Sequence, residues 1–136
     1  MWKRTKFRSI LLICGLMSMT ACATQAVGSN PGGRMIQDGQ VFTMHAGERV
    51  TFPDASALRY VRVANDSRCP PGVQCIWAGD AEVAFEWIAG NGATTAFSLH
   101  TGKDPKQQVL GERRLTLTSL ARGEAPDAEL RIDRNP

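Results

Sequence analysis

Residues 81–100 read AEVAFEWIAGNGATTAFSLH. From Ala81 to Ile88 the side chains alternate, with Val83, Phe85 and Trp87 on one side and Glu82, Ala84 and Glu86 on the other. A period of two marks a strand with one buried face. Gly90-Asn91-Gly92 then supplies residues suited to a tight reversal. The return run, Thr94 to His100, sets Phe97 and Leu99 on one face. The stretch reads as a β-hairpin.

The same grammar extends in both directions. Upstream, Val41 to His45 and Arg49 to Phe52 flank the turn Ala46-Gly47-Glu48, and Pro53-Asp54 stops the second run. Leu58 to Ala64 places Val61 and Val63 on one face and Leu58 and Tyr60 on the other. Downstream, Gln107 to Leu110 is a short candidate strand. Arg113 to Leu120 alternates Leu115 and Leu117 with Thr116 and Thr118, and Asp127 to Ile132 ends with Leu130 and Ile132. No helical period appears past residue 40. The expectation is an all-β domain, an antiparallel β-sandwich or flattened barrel of seven to eight short strands.

The chain opens MWKRTKFRSILLICGLMSMTAC. Lys3, Arg4, Lys6 and Arg8 precede an apolar run of twelve residues, Ser9 to Thr20. That is short of the roughly 20 residues a membrane-spanning helix needs, so it reads as the apolar core of a secretory signal peptide. Met19-Thr20-Ala21-Cys22 resembles a bacterial lipobox, although Met19 stands where Leu is usual. The resemblance implies cleavage before Cys22 and its acylation, hence a membrane anchor. Ala23 after the cysteine, by the sorting rule of bacterial lipoproteins, points to the outer membrane facing the periplasm. The expected organisation is a signal peptide over 1–21, a lipidated Cys22 with a flexible tether over 22–38, and a β domain over 39–136. Residues 23–37 are small, polar and Gly-rich, and fifteen such residues span about 20 Å on average.

Cleavage changes the charge balance. The whole chain has 16 basic and 13 acidic residues, and four basic ones leave with the leader. The mature chain then holds 12 basic and 13 acidic residues, a net of −1, with no basic patch that would suit nucleic acid. The cysteine count simplifies too. Cys14 leaves and Cys22 takes lipid, so Cys69 and Cys75 have only each other in an oxidising compartment.

These two cysteines lie in DSRCPPGVQCIWAGD, residues 66–80, the stretch densest in special residues. Pro71-Gly72 suits the centre of a type II turn. Asp66 and Ser67 are turn or capping residues. Trp77, two residues beyond Cys75, shares its face in an extended chain and is expected to pack beneath the disulfide as a core residue. The exposed rim would be Arg68 and Pro70, Pro71, Gly72, Val73 and Gln74.

The pattern DSRCPxGVQCxWAG, preceded by a Gly-Glu turn and a strand and followed by an alternating strand, resembles a group of small secreted bacterial proteins and lipoproteins without an assigned activity. The resemblance runs from about Gly47 to Phe85. It implies a secreted β domain and carries no catalytic residue with it.

The sequence contains no GxSxG, no HExxH, no Gly-rich phosphate loop and no paired-carboxylate motif. The leading expectation is therefore a non-enzymatic, membrane-anchored envelope protein without a cofactor, a binding or structural module for an envelope protein or ligand. Two alternatives stand beside it. One is a protease inhibitor presenting the Cys69–Cys75 loop, with Arg68 as a specificity residue. The other is an envelope metal-binding protein using His45 and His100 with Met35 or Met44, which requires them to meet in space.

Overall fold

The computed structural model describes residues 33–136. The leader, Cys14, Cys22 and the tether up to residue 32 lie outside the described residues. Nine strands follow in order: β1 (Arg34–Met35), β2 (Val41–Met44), β3 (Arg49–Thr51), β4 (Ala57–Asp66), β5 (Ala81–Ile88), β6 (Thr94–His100), β7 (Gln107–Leu110), β8 (Arg113–Leu120) and β9 (Ala128–Arg134). There is no helix among the described residues. One sheet has the order β1-β3-β4-β5-β6 and the other β2-β9-β8-β7. The sheets face each other without closing, so the sandwich alternative holds and the flattened barrel does not.

Alternation decides what fills the space between them. Val83, Phe85 and Trp87 of β5 and Leu99 of β6 are buried from one sheet. Phe42, Met44, Leu115, Leu117, Leu130 and Ile132 are buried from the other. A fully buried aliphatic or aromatic side chain contributes about 1.5–3 kcal/mol, so this layer carries most of the favourable free energy. Three aromatic contacts stitch the first sheet internally: Phe52–Trp87 at 5.4 Å, Tyr60–Phe85 at 5.5 Å and Phe85–Phe97 at 5.6 Å between centroids. The buried Tyr60 hydroxyl donates to the Pro126 carbonyl at 2.8 Å, which satisfies its one polar atom.

Two boundaries differ from the sequence expectation. The ninth strand is β1, which pairs parallel to β3 inside the stretch read as tether. Ile36 just beyond it is buried and its N–H donates to Thr51 O at 2.8 Å. The folded domain thus begins at about Arg34, not at residue 39, because one buried isoleucine anchors a strand too short to show a period. The second difference is β4. It slips register between Tyr60 and Arg62 and again between Val63 and Asn65, leaving Val61 and Ala64 without partners on β5. Such bulges bend a strand and raise its twist. The slip turns Val63 to the core side, opposite buried Val83 and alongside Leu58 and Tyr60, so it does not share the outer face with exposed Val61 as the alternation had suggested.

The strand directions gather the connections 45–48, 67–80, 101–106 and 121–127 at one end of the sandwich. The chain also runs into β1 from that direction, since β1 is parallel to β3.

Candidate functional site

Beyond the Asp66–Ala81 pair the two arms of the β4–β5 hairpin keep going past the end of the core. Ser67 N donates to Asp80 O at 2.7 Å, and Cys69 N donates to Ala78 O at 3.1 Å. Gly79 is needed here. Its φ is +71°, and a Cβ at that position would run into the Ser67 carbonyl. Cys69 and Cys75 then close the tip, with Cα atoms 5.9 Å apart. Within the ring Val73 N donates to Pro70 O at 3.3 Å and Gly72 takes φ +76°, the conformation the Pro-Pro-Gly run was expected to favour. Every residue from 70 to 78 is exposed. The result is a stapled finger.

Two clamps fix its base. Arg68 folds back on Asp66, with Nε to Oδ1 at 2.9 Å and Nη2 to Oδ2 at 2.6 Å, a two-pronged pair. The same guanidinium donates to the carbonyls of Leu120 at 2.7 Å and Ala121 at 2.9 Å, at the end of β8 in the other sheet. The hydrogen-bonded Arg68 beside Asp66 holds that carboxyl down to about 2. On the other arm, Asp80 accepts Gly102 N–H at 2.8 Å and His100 Nδ1 at 2.6 Å, with Lys103 Nζ at 3.8 Å. Burial pushes the Asp80 carboxyl up, but Gly102, His100 and Lys103 outweigh it, and its pKa is lowered. The finger is therefore tied to the β8–β9 connection on one side and the β6–β7 connection on the other.

Two expected roles are overturned by this geometry. Trp77 is 83% exposed and does not pack beneath the disulfide. Its segment has left the sandwich, so no second sheet stands opposite either of its faces. Arg68 does not belong to the accessible rim, because its side chain is 11% exposed and engaged by Asp66 and two carbonyls. Pro70, Pro71, Gly72, Val73 and Gln74 do lie on the surface of the tip. Ile76, which the sequence reading passed over, is 94% exposed, and Val73 is 57% exposed. The signal for it was present: residues 69–79, CPPGVQCIWAG, are eleven in a row without a charge.

The histidines do not form a pair. His45 Nδ1 meets Asp127 Oδ1 at 2.6 Å, and this bond raises the His45 pKa. His100 is engaged by Asp80 instead. Met44 is sealed in the core and Met35 is exposed. Among the described residues no group of three or more His, Cys, Asp and Glu side chains is placed to hold a metal ion.

A shallow cleft of about 370 Å³ crosses β4, β5 and β6, lined by Val61, Arg62, Ala84, Glu86, Ala96 and Ser98. Ala84, Ala96 and Ser98 are its small lining residues, and Arg62 and Glu86 its charged ones. Buried Phe85 and the half-buried Phe97 complete its lining.

An ionic cluster at the opposite end escaped the sequence reading. Buried Arg113 donates from Nε to Asp38 at 2.6 Å and from Nη1 to Asp54 at 2.6 Å, and its guanidinium lies 5.2 Å from the Phe52 ring centroid. Asp54 also accepts from Ser56 N and Oγ. Burial opposes ionisation of Asp54, but Ser56 and Arg113 bring its carboxyl down to about 2. This cluster ties the β1–β2 and β3–β4 connections to the start of β8.

Fold and site together define an open two-sheet sandwich carrying one disulfide-stapled, apolar-tipped hairpin extension. No family model matches the chain, and neither a curated protein nor a solved structure matches it.

Proposed function

We propose that the chain is a lipid-anchored protein of the bacterial envelope, without enzymatic activity, whose sandwich presents the Cys69–Cys75 finger as its recognition element. The anchor rests on the resemblance of Met19–Cys22 to a lipobox, which implies an outer-membrane lipoprotein facing the periplasm. The observation that carries the recognition role is the exposure of Ile76 and Trp77 on a finger clamped at its base. Single exposed apolar residues are ordinary, but neighbouring ones grouped on a protruding support mark interaction surfaces. Bracing also lowers the ordering cost of whatever contact follows. A protease-inhibitor role loses its best residue once Arg68 is engaged at the base. A metal-binding role loses its meeting of histidines.

The test is site-specific photocrosslinking in cells with the full-length lipoprotein. A crosslinker in place of Ile76 is expected to give an adduct, whether to lipid or to protein. The same group in place of Val109, exposed on β7, serves as the comparison. Equal labelling from both positions would remove the finger's claim. Fractionation of Cys22→Ser tests the anchor separately, with release from the membrane expected.

A further inference from the structure

The finger and the proposed anchor address the same side of the molecule. Gly33 lies against the backbone of Arg49, and β1 runs parallel to β3, so the chain comes in from the side on which the finger projects. Arg49 pairs with Arg59, and Arg59 with Glu86. From the Glu86 level to the Ala78 rung is eight residues along the hairpin, about 26 Å at 3.3 Å per residue. From Cys22 to Gly33 is eleven residues, a contour of about 36–40 Å. An acyl group on Cys22 can thus sit in the plane that the finger tip reaches.

The chemistry of the tip fits that plane. It presents Val73, Ile76 and Trp77 with no charge between residues 69 and 79. Insertion therefore strips no ion of water. Indole rings favour the boundary between headgroups and acyl chains. The four connections at this end, 45–48, 67–80, 101–106 and 121–127, hold four basic and five acidic residues, a net of −1. Attraction to anionic headgroups is not what would bring the end down.

We infer that the occupant of the finger is the bilayer surface: Ile76 and Trp77 insert at the headgroup boundary beside the Cys22 acyl chains. This deepens the lipoprotein reading and rests on it. The acyl chains retain the protein. The finger supplies a second contact, which stops the sandwich from tumbling on its tether and turns the β2–β3, β6–β7 and β8–β9 connections toward the membrane. The Arg113 end is left facing away, and the Arg62–Glu86 cleft, on the outer face of the first sheet, opens to the side.

The experiment uses mature acylated protein in phosphatidylcholine vesicles with bromine on the acyl chains. Once Trp2 leaves with the leader, Trp77 and the buried Trp87 are the two emitters. Bromine is expected to quench Trp77, and Trp77→Phe is expected to leave an emission that bromine does not touch. Unacylated Cys22→Ser protein should still partition weakly onto these vesicles at a level insensitive to salt. Ile76→Ser should weaken that partitioning about tenfold, equivalent to about 1.4 kcal/mol. Vesicle-bound, acylated protein with unquenched Trp77 overturns the inference. So does protection of Trp77 that needs another envelope protein or a second copy of this chain. The mass of the Cys22 peptide checks acylation independently, so loss of the lipoprotein reading is distinguishable from loss of the finger's role.

Discussion

Replacing each tryptophan in turn separates the finger from the core. Trp87 is 7% exposed and packs tilted against Phe52, so Trp87→Ala removes a large buried ring and leaves a cavity. Substitutions of this kind cost about 3–5 kcal/mol. For a domain of roughly 100 residues, 1 kcal/mol moves Tm by about 4–8 °C, so the variant should melt some 12–40 °C lower or fail to fold. Trp77 is 83% exposed and already solvated. Trp77→Ala should stay within about 0.5 kcal/mol of the parent, a shift of no more than about 2–4 °C. Urea denaturation followed by far-UV circular dichroism measures both without relying on the residue being removed. Iodide should quench Trp77 freely and Trp87 hardly at all. If Trp77→Ala costs 3 kcal/mol or more, the indole packs beneath the disulfide after all, and the reasoning about an exposed finger is wrong.

Three further outcomes follow from the same contacts. Arg113→Ala strips a half-exposed Asp54 of its arginine, leaves Asp38 with Arg134 alone, and takes the guanidinium off the Phe52 ring, so it should cost about 1–3 kcal/mol in urea melts; no measurable loss would mean that the cluster does not brace the fold. Gly79→Ala must both adopt a left-handed φ, which costs about 1–2 kcal/mol, and push Ser67 aside, whereas Gly72→Ala meets open space and bears the first cost alone. Equal melting temperatures for those two variants would contradict the close approach of the hairpin arms. Acid should destabilise the protein over a defined window. Asp54 and Asp66 are held at about 2, with Asp38 and Asp80 also lowered. Depressed carboxyls contribute stability that is complete above their unfolded value near 3.9 and is lost as pH falls toward 2. The urea midpoint should hold from pH 7 to about 5 and drop between about 4 and 2, and a flat profile across that window would refute the linkage.

How much was legible depended on how local the cause was. The hairpin Ala81–Ile88 and Thr94–His100 could be read because alternation and a Gly-Asn-Gly turn act within twenty residues. The disulfide was legible by counting. Strand β1 was not, because two residues have no period and its anchoring comes from one isoleucine. The fate of Arg68 was hidden for another reason: the carbonyls that engage it lie 52 and 53 residues away in the other sheet. Arg113 meets Asp38 and Asp54 across 75 and 59 residues, and neither spacing leaves a mark in sequence. Trp77 shows the limit most directly. Parity assumed an extended chain with a sheet beneath it, whereas the chain bends at Ile76 and Trp77 outside both sheets.

The clamp at Arg68 has a consequence for proteolysis. From residue 69 to residue 102 the chain contains no lysine or arginine, and Arg68 itself is engaged and precedes a Cys-Pro-Pro run. A protease that cuts after basic residues has no purchase on the exposed tip of the finger. One that cuts after aromatic residues meets Trp77 first. Such a nick falls outside the disulfide ring, so the two fragments would be held together by the β4–β5 pairing and the core alone, and would part only in denaturant.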